Sequence, residues 1–351
     1  MPTNAEIIDS LAPHVQHDAR GLLRLAGLME VDGQAARAID TAHRVLELAD
    51  ADPALVERAR RFIARLVPHW HFNIVRDLRR NRDYDAALRR AVKPGMRVLE
   101  IGTGTGILAM MAARAGAAEV ITCEFDAAVA RAAQRVIAAN GYADRVRVIA
   151  KPSHELDAAR DLGGRADLLV SEIVSHNLLS EGVLGAHEHA VRELITPHAP
   201  VIPLGGTIRV ALAQGPQKRF DAQTVDDFDL SAFNTLLPPE QRLTSSDPRL
   251  VLRSAPADLF RFSFATAEET PPGDTEIVCV STGGLVTGVV QWIAIDLDRG
   301  HVHENAPDPS LPRSSWRLRF YDLIEPIETR AGDRITVRAA HDRHHLSVWL
   351  A

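Results

Sequence analysis

Cysteine is scarce in this chain: of 351 residues only Cys123 and Cys279 carry a thiol. Both lie in apolar runs, so a disulfide scaffold is excluded and two buried thiols in a reducing compartment are expected. The N-terminal stretch MPTNAEIIDSLAPHVQHDARG lacks the basic and apolar regions of a secretory leader. Long uncharged runs are also lacking. The longest, Ile277 to Ile295, approaches the ~20 residues of a spanning helix. It is interrupted by Gly283, Gly284 and Gly288 and carries Ser281, Thr282, Thr287 and Gln291, so two strands and a turn are expected. A cytoplasmic protein is expected. Positive charge is not in excess, with Lys plus Arg at 40 against Asp plus Glu at 46, a net of −6. That balance offers no global attraction to nucleic acid or anionic lipid. What is present is 46% apolar and 25% charged residues, which describes a globular protein with a full core. At ~150 residues per domain, the length allows two domains and a small appendage.

Residues 1–66 read as helices. Ala36, Ile39, Ala42, Val45 and Leu46 fall at helical spacing, and Asp52-Pro53 suits the cap and first position of a following helix to Leu66. The pair resembles one tetratricopeptide-type hairpin, which cannot bury a core alone and should pack on the body of the protein. From Met96 the pattern changes to strands alternating with helices: Arg97–Ile101, Val120–Glu124, Arg145–Ala150 and Ala166–Ser171 as strands, with helices Ile107–Gly116 and Ala127–Asn140 between them. Such alternation implies a mostly parallel sheet over 67–203. After Pro203, short alternating stretches separated by turn residues imply an antiparallel β domain over 204–351, a sandwich or barrel. The stretch from Gln214 to Asp247 has few strand signals and reads as an excursion or arm.

The first strand runs directly into Gly102-Thr103-Gly104-Thr105-Gly106. A glycine-rich strand-to-helix turn lets backbone N–H groups approach a ligand closely. The pattern is GxGxG rather than the GxGxxG that serves a pyrophosphate. With Glu100 just before it, the loop fits a ligand with an amino-acid part and no phosphates, as in S-adenosylmethionine. Glu124, 20 residues after Gly104, stands where a carboxylate accepts both hydroxyls of an adenosine ribose. The fourth strand ends at Glu172, at the sheet edge where open α/β folds bind ligands. Glu172 and Glu181 bracket an apolar loop and could fold back as a pincer on a guanidinium, a planar donor fork that stays charged near neutrality. Spacing alone equally allows Glu181 at a helix start and Glu172 as a solvated strand end.

Together VLEIGTGTGILAMMAARAGA, the strand ending in Glu124, and SEIVSHNLLSEG resemble the protein arginine methyltransferases, over residues 69 to 351. The likeness is nearest to the monomethylating branch and to bacterial biosynthetic enzymes that methylate free arginine. It implies a Rossmann-like class I methyltransferase domain followed by an antiparallel β-barrel domain, to which the N-terminal helical hairpin read from residues 1–66 is added. S-adenosyl-L-methionine is the implied methyl donor, and a homodimer is the implied assembly, with Gln214–Asp247 where the family dimerises. Glu172 and Glu181 match the family's paired-glutamate loop, as catalytic and substrate-binding residues. Asp77, Arg80, Asn81 and Tyr84 in IVRDLRRNRDY match the helix that closes over the cofactor, with Arg80 on the methionyl carboxylate. KPSHEL resembles the adenine-side loop, placing Ser153 and Glu155 near the base. Glu100, Gly102, Thr103, Gly104, Glu124 and Glu172 complete the implied cofactor set, and Trp316 joins the substrate set.

One departure stands out. Arg313-Ser314-Ser315-Trp316 occupies the place of the family's Thr-His-Trp loop, so Ser315 replaces a histidine and its role as proton acceptor or carboxylate orienter is not expected there. Ile74 and Val75 stand where the family limits product methylation. Twelve Lys/Arg against five Asp/Glu between Asp52 and Arg97 read as a solvated helix face rather than a nucleic-acid site. His341, His344 and His345 fit no zinc set, so no metal is expected. His187 and His189 read as packing residues. The expected activity is methylation of an arginine guanidino nitrogen, with free L-arginine preferred over Arg/Gly-rich protein substrates. An inactive adenosyl-binding scaffold is the reading from another class.

Overall fold

The computed structural model describes residues 3–67, 70–216, 224–236, 238 and 240–351. Four helices open the chain: α1 (Asn4–Leu11), α2 (Ala19–Val31), α3 (Ala35–Glu47) and α4 (Pro53–Leu66). Asp52 caps α4 by accepting the Ala54 N–H at 2.8 Å, with Pro53 at the first position, as the sequence indicates. The expected hairpin is α3–α4, and α2 packs against both of its helices, so the appendage is larger than one hairpin. Ala38, Ile39, Ala42 and Val45 of α3 are buried. Asp40 of α3 pairs with Arg131 on the later helix α8 (Ala127–Ala139), which fastens the appendage to the body.

The short α5 (Trp70–Ile74) and α6 (Leu78–Ala91) lead into a five-stranded sheet. Its strands are β1 (Arg97–Ile101), β2 (Glu119–Cys123), β3 (Val146–Ile149), β4 (Leu168–Ser171) and β5 (Val201–Ile202), all parallel in the order β3-β2-β1-β4-β5. Helix α7 (Ile107–Arg114) follows β1, α8 follows β2 and α9 (Val183–His189) follows β4. The strand order reverses between β1 and β4. The crevice at the carboxyl ends there is where such sheets place ligands.

The rest of the chain is antiparallel. It comprises β6 (Gly205–Gln214), a small hairpin of β7 (Thr224–Val225) and β8 (Phe228–Asp229), β9 (Glu240–Leu243), β10 (Val251–Leu252), β11 (Ala257–Ser263), β12 (Gly273–Asp298), β13 (His301–Glu304), β14 (Leu318–His341) and β15 (Leu346–Leu350). The main sheet runs β10-β6-β12-β14-β15, with β11 also on β6, β13 on β12 and β9 on β14. Among the described residues no pairing closes this sheet into a ring, so the antiparallel domain stands without the closed barrel.

The two strands and turn expected between Ile277 and Ile295 are one strand of 26 residues. Its register shifts between Val280 and Thr282 and again between Val286 and Gly288, and these bulges take up the glycines without reversing the chain. Gly283, at φ +92°, sits where a Cβ would lie 3.2 Å from the Ala331 nitrogen, so it serves close approach of β14. The stretches around Trp316–Tyr321 and Arg334–Arg338 likewise merge, from Leu318 on, into the single β14. The excursion after Gln214 contains β7, β8 and a 3-10 turn over Ser231–Leu236, and 217–223 lie outside the described residues.

Candidate active site

A cleft of about 720 Å³ opens at the carboxyl ends of β1, β2 and β4. The glycine loop forms its floor. Gly102, Gly104 and Gly106 all have positive φ, and a Cβ on Gly102 would lie 2.6 Å from Ile173 Cγ2. Only glycine therefore lets the loop lie against the segment after β4. Gly102 and Thr103 donate their N–H groups to the Cys123 carbonyl, each at 3.0 Å. The Thr103 and Thr122 hydroxyls meet at 2.6 Å and tie the loop to β2.

Three carboxylates follow from three adjacent strand ends. Glu100 is fully buried, its Oε2 has no partner, and burial pushes its pKa up to about 8. Glu124 accepts the Gly104 N–H on Oε2 at 3.0 Å and the Asp126 N–H on Oε1 at 3.1 Å; burial raises it despite these bonds. Glu172 has a side chain only 5% exposed. Its Oε2 accepts from Arg80 Nη1, while Oε1 is buried with no partner. Burial raises its pKa, Arg80 opposes that rise, and Glu181 and Asp77 add to it.

The loop from Glu172 to Glu181 is folded by Asn177. Its Oδ1 accepts from the Ser175 hydroxyl, from the Leu179 and Ser180 N–H groups at 3.1 Å, and from the Ser180 hydroxyl at 2.6 Å. This knot, with Leu178 at φ 75°, turns the chain so that Glu181 returns to the cleft wall. Surrounding protein and the nearby Glu124 charge raise the Glu181 pKa. The glutamates therefore share one cleft, and the alternative of a solvated strand end does not describe Glu172.

Helix α6 supplies the opposite wall. Arg80, 2% exposed, lines the cleft and binds Glu172 and Asn81 Oδ1, the latter from Nη2 at 2.7 Å. Its guanidinium, expected on a ligand carboxylate, is held by the protein carboxylate within reach, as a buried cation requires. Asn81 donates to the Val75 carbonyl at 2.8 Å, which sets Ile74 and Val75 against the cleft. Asp77 accepts the Arg80 N–H at 3.0 Å on Oδ1. On Oδ2 it accepts the Ser315 N–H at 2.8 Å and the Ser314 and Ser315 hydroxyls, each at 3.1 Å. The orienting role not expected at Ser315 is thus filled by its hydroxyl and backbone, because a serine needs only to approach closely to donate to that carboxylate.

Ser153 lines the cleft and Glu155 does not; His154 and Lys151 stand on that side instead. The 3-10 turn Ser153–Glu155 points the Glu155 side chain outward, with 60% of it exposed. Trp316 also lies outside the lining, buried edge-on against His303 at 5.3 Å. His187 is a packing residue as expected, bonded to Ser171 Oγ at 2.9 Å and stacked on Phe264. Two buried residues and one half-buried one stand behind the site without a role expected from the sequence. His303 bonds Asp83 at 2.6 Å through Nδ1. Gln291 donates to the His176 carbonyl at 3.2 Å, and His176 Nδ1 accepts the Arg317 N–H at 3.1 Å. No local motif marks His303 or Gln291, and His176 lies within SEIVSHNLLSEG without its contacts being legible there.

A family model described as ribosomal protein L11 methyltransferase matches residues 86–185, the segment holding the glycine loop and both glutamates of the loop. Arginine N(omega)-methyltransferase of Streptomyces achromogenes subsp. streptozoticus is 37% identical over 280 residues, 78% of this chain and 76% of that protein. This chain belongs to the arginine methyltransferase family. Another relative, protein arginine N-methyltransferase 7 of Drosophila grimshawi, is 32% identical over 322 residues. The match covers 78% of this chain and 45% of that protein, so the chain spans under half the length of such relatives. Among solved structures, the Trypanosoma brucei PRMT1 enzyme-prozyme heterotetrameric complex with AdoHcy matches with a TM-score of 0.69 at 24% identity, over 80% of this chain and 96% of that one. PRMT6 matches with a TM-score of 0.63 at 18% identity, over 80% and 99%. These two show the fold of the family: a parallel sheet with helices, followed by an antiparallel domain.

Proposed function

We propose that this family member methylates the guanidino group of free L-arginine, giving N-omega-methyl-L-arginine, with S-adenosyl-L-methionine as donor. The carrying observation is Glu172: one oxygen is taken by Arg80, and the other is buried, unpartnered and in the same cleft as Glu181. A guanidinium supplies the missing donors and the compensating charge. The cleft also fits an adenosyl amino acid. Glycine at 102, where a Cβ has no room, and the unpartnered Glu100 Oε2 offer close backbone approach and an acceptor. When bound, the donor supplies an electrophilic methyl on a sulfonium.

Glu124 takes the ribose hydroxyls, the backbone of Gly102, Thr103 and Gly104 the amino-acid part, Arg80 the methionyl carboxylate and Ser153 the base. Glu172 and Glu181 hold the guanidinium and aim one nitrogen, so that acceleration comes from orientation and preorganised charge. The proton leaves after the methyl arrives, to Glu181 or water. Catalysis falls to 67–203, with 1–66 and 204–351 as appendage and substrate domain. The exposed Phe228, Phe233 and Leu236 of the excursion support a homodimer. Two buried free thiols suit the cytoplasm, and among the described residues no helix is long and apolar enough to cross a membrane.

A labelled-methyl assay offering free L-arginine and an Arg/Gly-rich peptide side by side tests this. Label in arginine is expected. Label only in peptide transfers the activity to protein substrates, and label in neither leaves an adenosyl-binding scaffold.

A further inference from the structure

Glu172 and Glu181 reach the cleft by different means. Glu172 closes a strand, and its carboxylate is gripped by Arg80. Glu181 stands between the Asn177 knot and α9, and no side chain among the described residues bonds its carboxylate. Its place is therefore inherited from the chain on either side. On one side is the knot; on the other is Gly182, at φ 71°, which opens α9.

Helix α9 has only seven residues and widens at Ala190 into a π-helical turn through Leu194. Its polar anchors lie in its last turn. His187 bonds Ser171 and stacks on Phe264. Glu188 is buried; its Oε1 accepts the Thr270 N–H at 2.9 Å and its Oε2 accepts from Arg343 Nη2 at 2.7 Å. Arg343 comes from the turn between β14 and β15, and its Nη1 donates to Glu269 at 3.0 Å and to the Thr270 carbonyl. The guanidinium lies along α9, with Nη2 4.0 Å from where a Cβ on Gly185 would stand, and Gly185 lines the cleft. Arg343 also has φ +82°, a left-handed backbone that strains any residue but glycine. A glycine would make that turn without strain, so what the arginine adds there is its side chain.

We propose that Arg343 is a positioning residue for Glu181. By gripping Glu188 and bridging it to the 269–270 segment, it fixes the helix whose start carries the second arm of the pincer. This rests on the function proposed above and makes the transfer step depend on the C-terminal turn. Arg343 is outside the cleft lining and acts through Glu188 and α9. The donor is held from the glycine loop, Glu124 and Arg80, so its binding does not depend on Arg343.

The test is a labelled-methyl assay on the full-length protein, with L-arginine and an Arg/Gly-rich peptide as acceptors, run beside donor titration and thermal melts. Arg343→Gly removes the guanidinium and relieves the backbone, so the protein should stay folded. Donor affinity should hold within about twofold while kcat falls about tenfold, because a small misplacement of an orienting group costs that much. Arg343→Lys reaches Glu188 without bridging to Thr270 and should recover part of the loss. Glu188→Gln keeps the Thr270 contact and loses the charge; it should show a smaller loss of the same pattern and serves if Arg343→Gly folds poorly. The deciding measurement pairs Arg343→Gly with Glu181→Gln. Once Glu181 no longer carries charge, Arg343→Gly should lower kcat by no more than about twofold further, the non-additivity of two residues that act as a unit. Full additivity, or donor affinity falling in step with kcat, makes Arg343 a prop for the fold and overturns the positioning role. An unchanged kcat in both Arg343→Gly and Glu188→Gln also overturns it, while arginine methylation stands. Label in neither acceptor from the unaltered protein overturns the methyl-transfer reading and this role with it.

Discussion

On the parallel-sheet side of the cleft, Glu100, Glu124 and Glu172 stand at or just past the ends of β1, β2 and β4, with Glu124 held by the Gly104 and Asp126 backbone and Glu172 by Arg80 of α6. On the antiparallel side, Ser314 and Ser315 reach Asp77 across 237 and 238 residues of chain, and Gln291 reaches His176 across 115. The carboxylates of the first wall are placed by strand ends, whereas the second wall is assembled by contacts from the antiparallel domain. The difference separates two kinds of job. The proposed charge carriers Glu124 and Glu172 ride on strand ends, whereas groups that hold their neighbours in register come from the antiparallel domain.

The sharpest break in this comparison is Glu172→Gln. Turnover should fall more than a hundredfold, because the pincer loses a charge where orientation matters most, while donor binding stays within a few-fold. Labelled-methyl transfer and donor titration report the two separately. A residual rate above about a tenth, a loss below ~1.4 kcal/mol, would defeat the pincer. Glu181→Gln should follow with a similar loss.

Next in size is Asp77→Asn on the docking side. Its carboxylate holds the start of α6 and three donors from the 314–315 segment. Bonds to a charged group contribute ~1.5–3 kcal/mol, so kcat/KM should drop about ten- to a hundredfold, with donor affinity falling alongside because Arg80 is anchored there. Ser315→Ala removes one hydroxyl and leaves the backbone N–H in place, and a loss of about fivefold is expected in the same assay. A loss as large as that of Asp77→Asn would show that the hydroxyl does more than hold the carboxylate.

Legibility divides along the same line. The glycine loop, Glu124 and the paired glutamates could be read because a strand, a turn and a few side chains close within some twenty residues. Asp77 and Arg80 could be read only through the family likeness, and what they bind was not readable, since Ser315 and Glu172 come to them from other elements. The long β12 was divided in two because alternation breaks at Gly283, and a bulge and a turn have the same local composition. Trp316 and Glu155 were placed by motif position, but packing turned one into the sheet and the other to solvent. His303 and Gln291 carry no periodic or motif signal, and only register puts them behind the site.

The smallest expected effect concerns stability. Glu100 is fully buried with one oxygen unpartnered, and its pKa rises from 4.5 to about 8 through burial. The folded state therefore keeps its proton where the unfolded chain has lost it. The contribution is fully present below pH ~4.5 and is lost as pH rises towards 8. Glu172 shifts in the same direction, so the parallel-sheet wall as a whole should loosen with alkalinity, while Asp77, held below the usual carboxylate range by its serine and backbone bonds, works in the opposite sense and matters only in acid. Thermal melts between pH 6 and 8.5 should show Tm falling with pH, and Glu100→Gln should flatten that slope because an amide has no proton to lose. If the slope survives in Glu100→Gln and disappears in Glu172→Gln, the pH dependence belongs to the pincer carboxylate and not to Glu100.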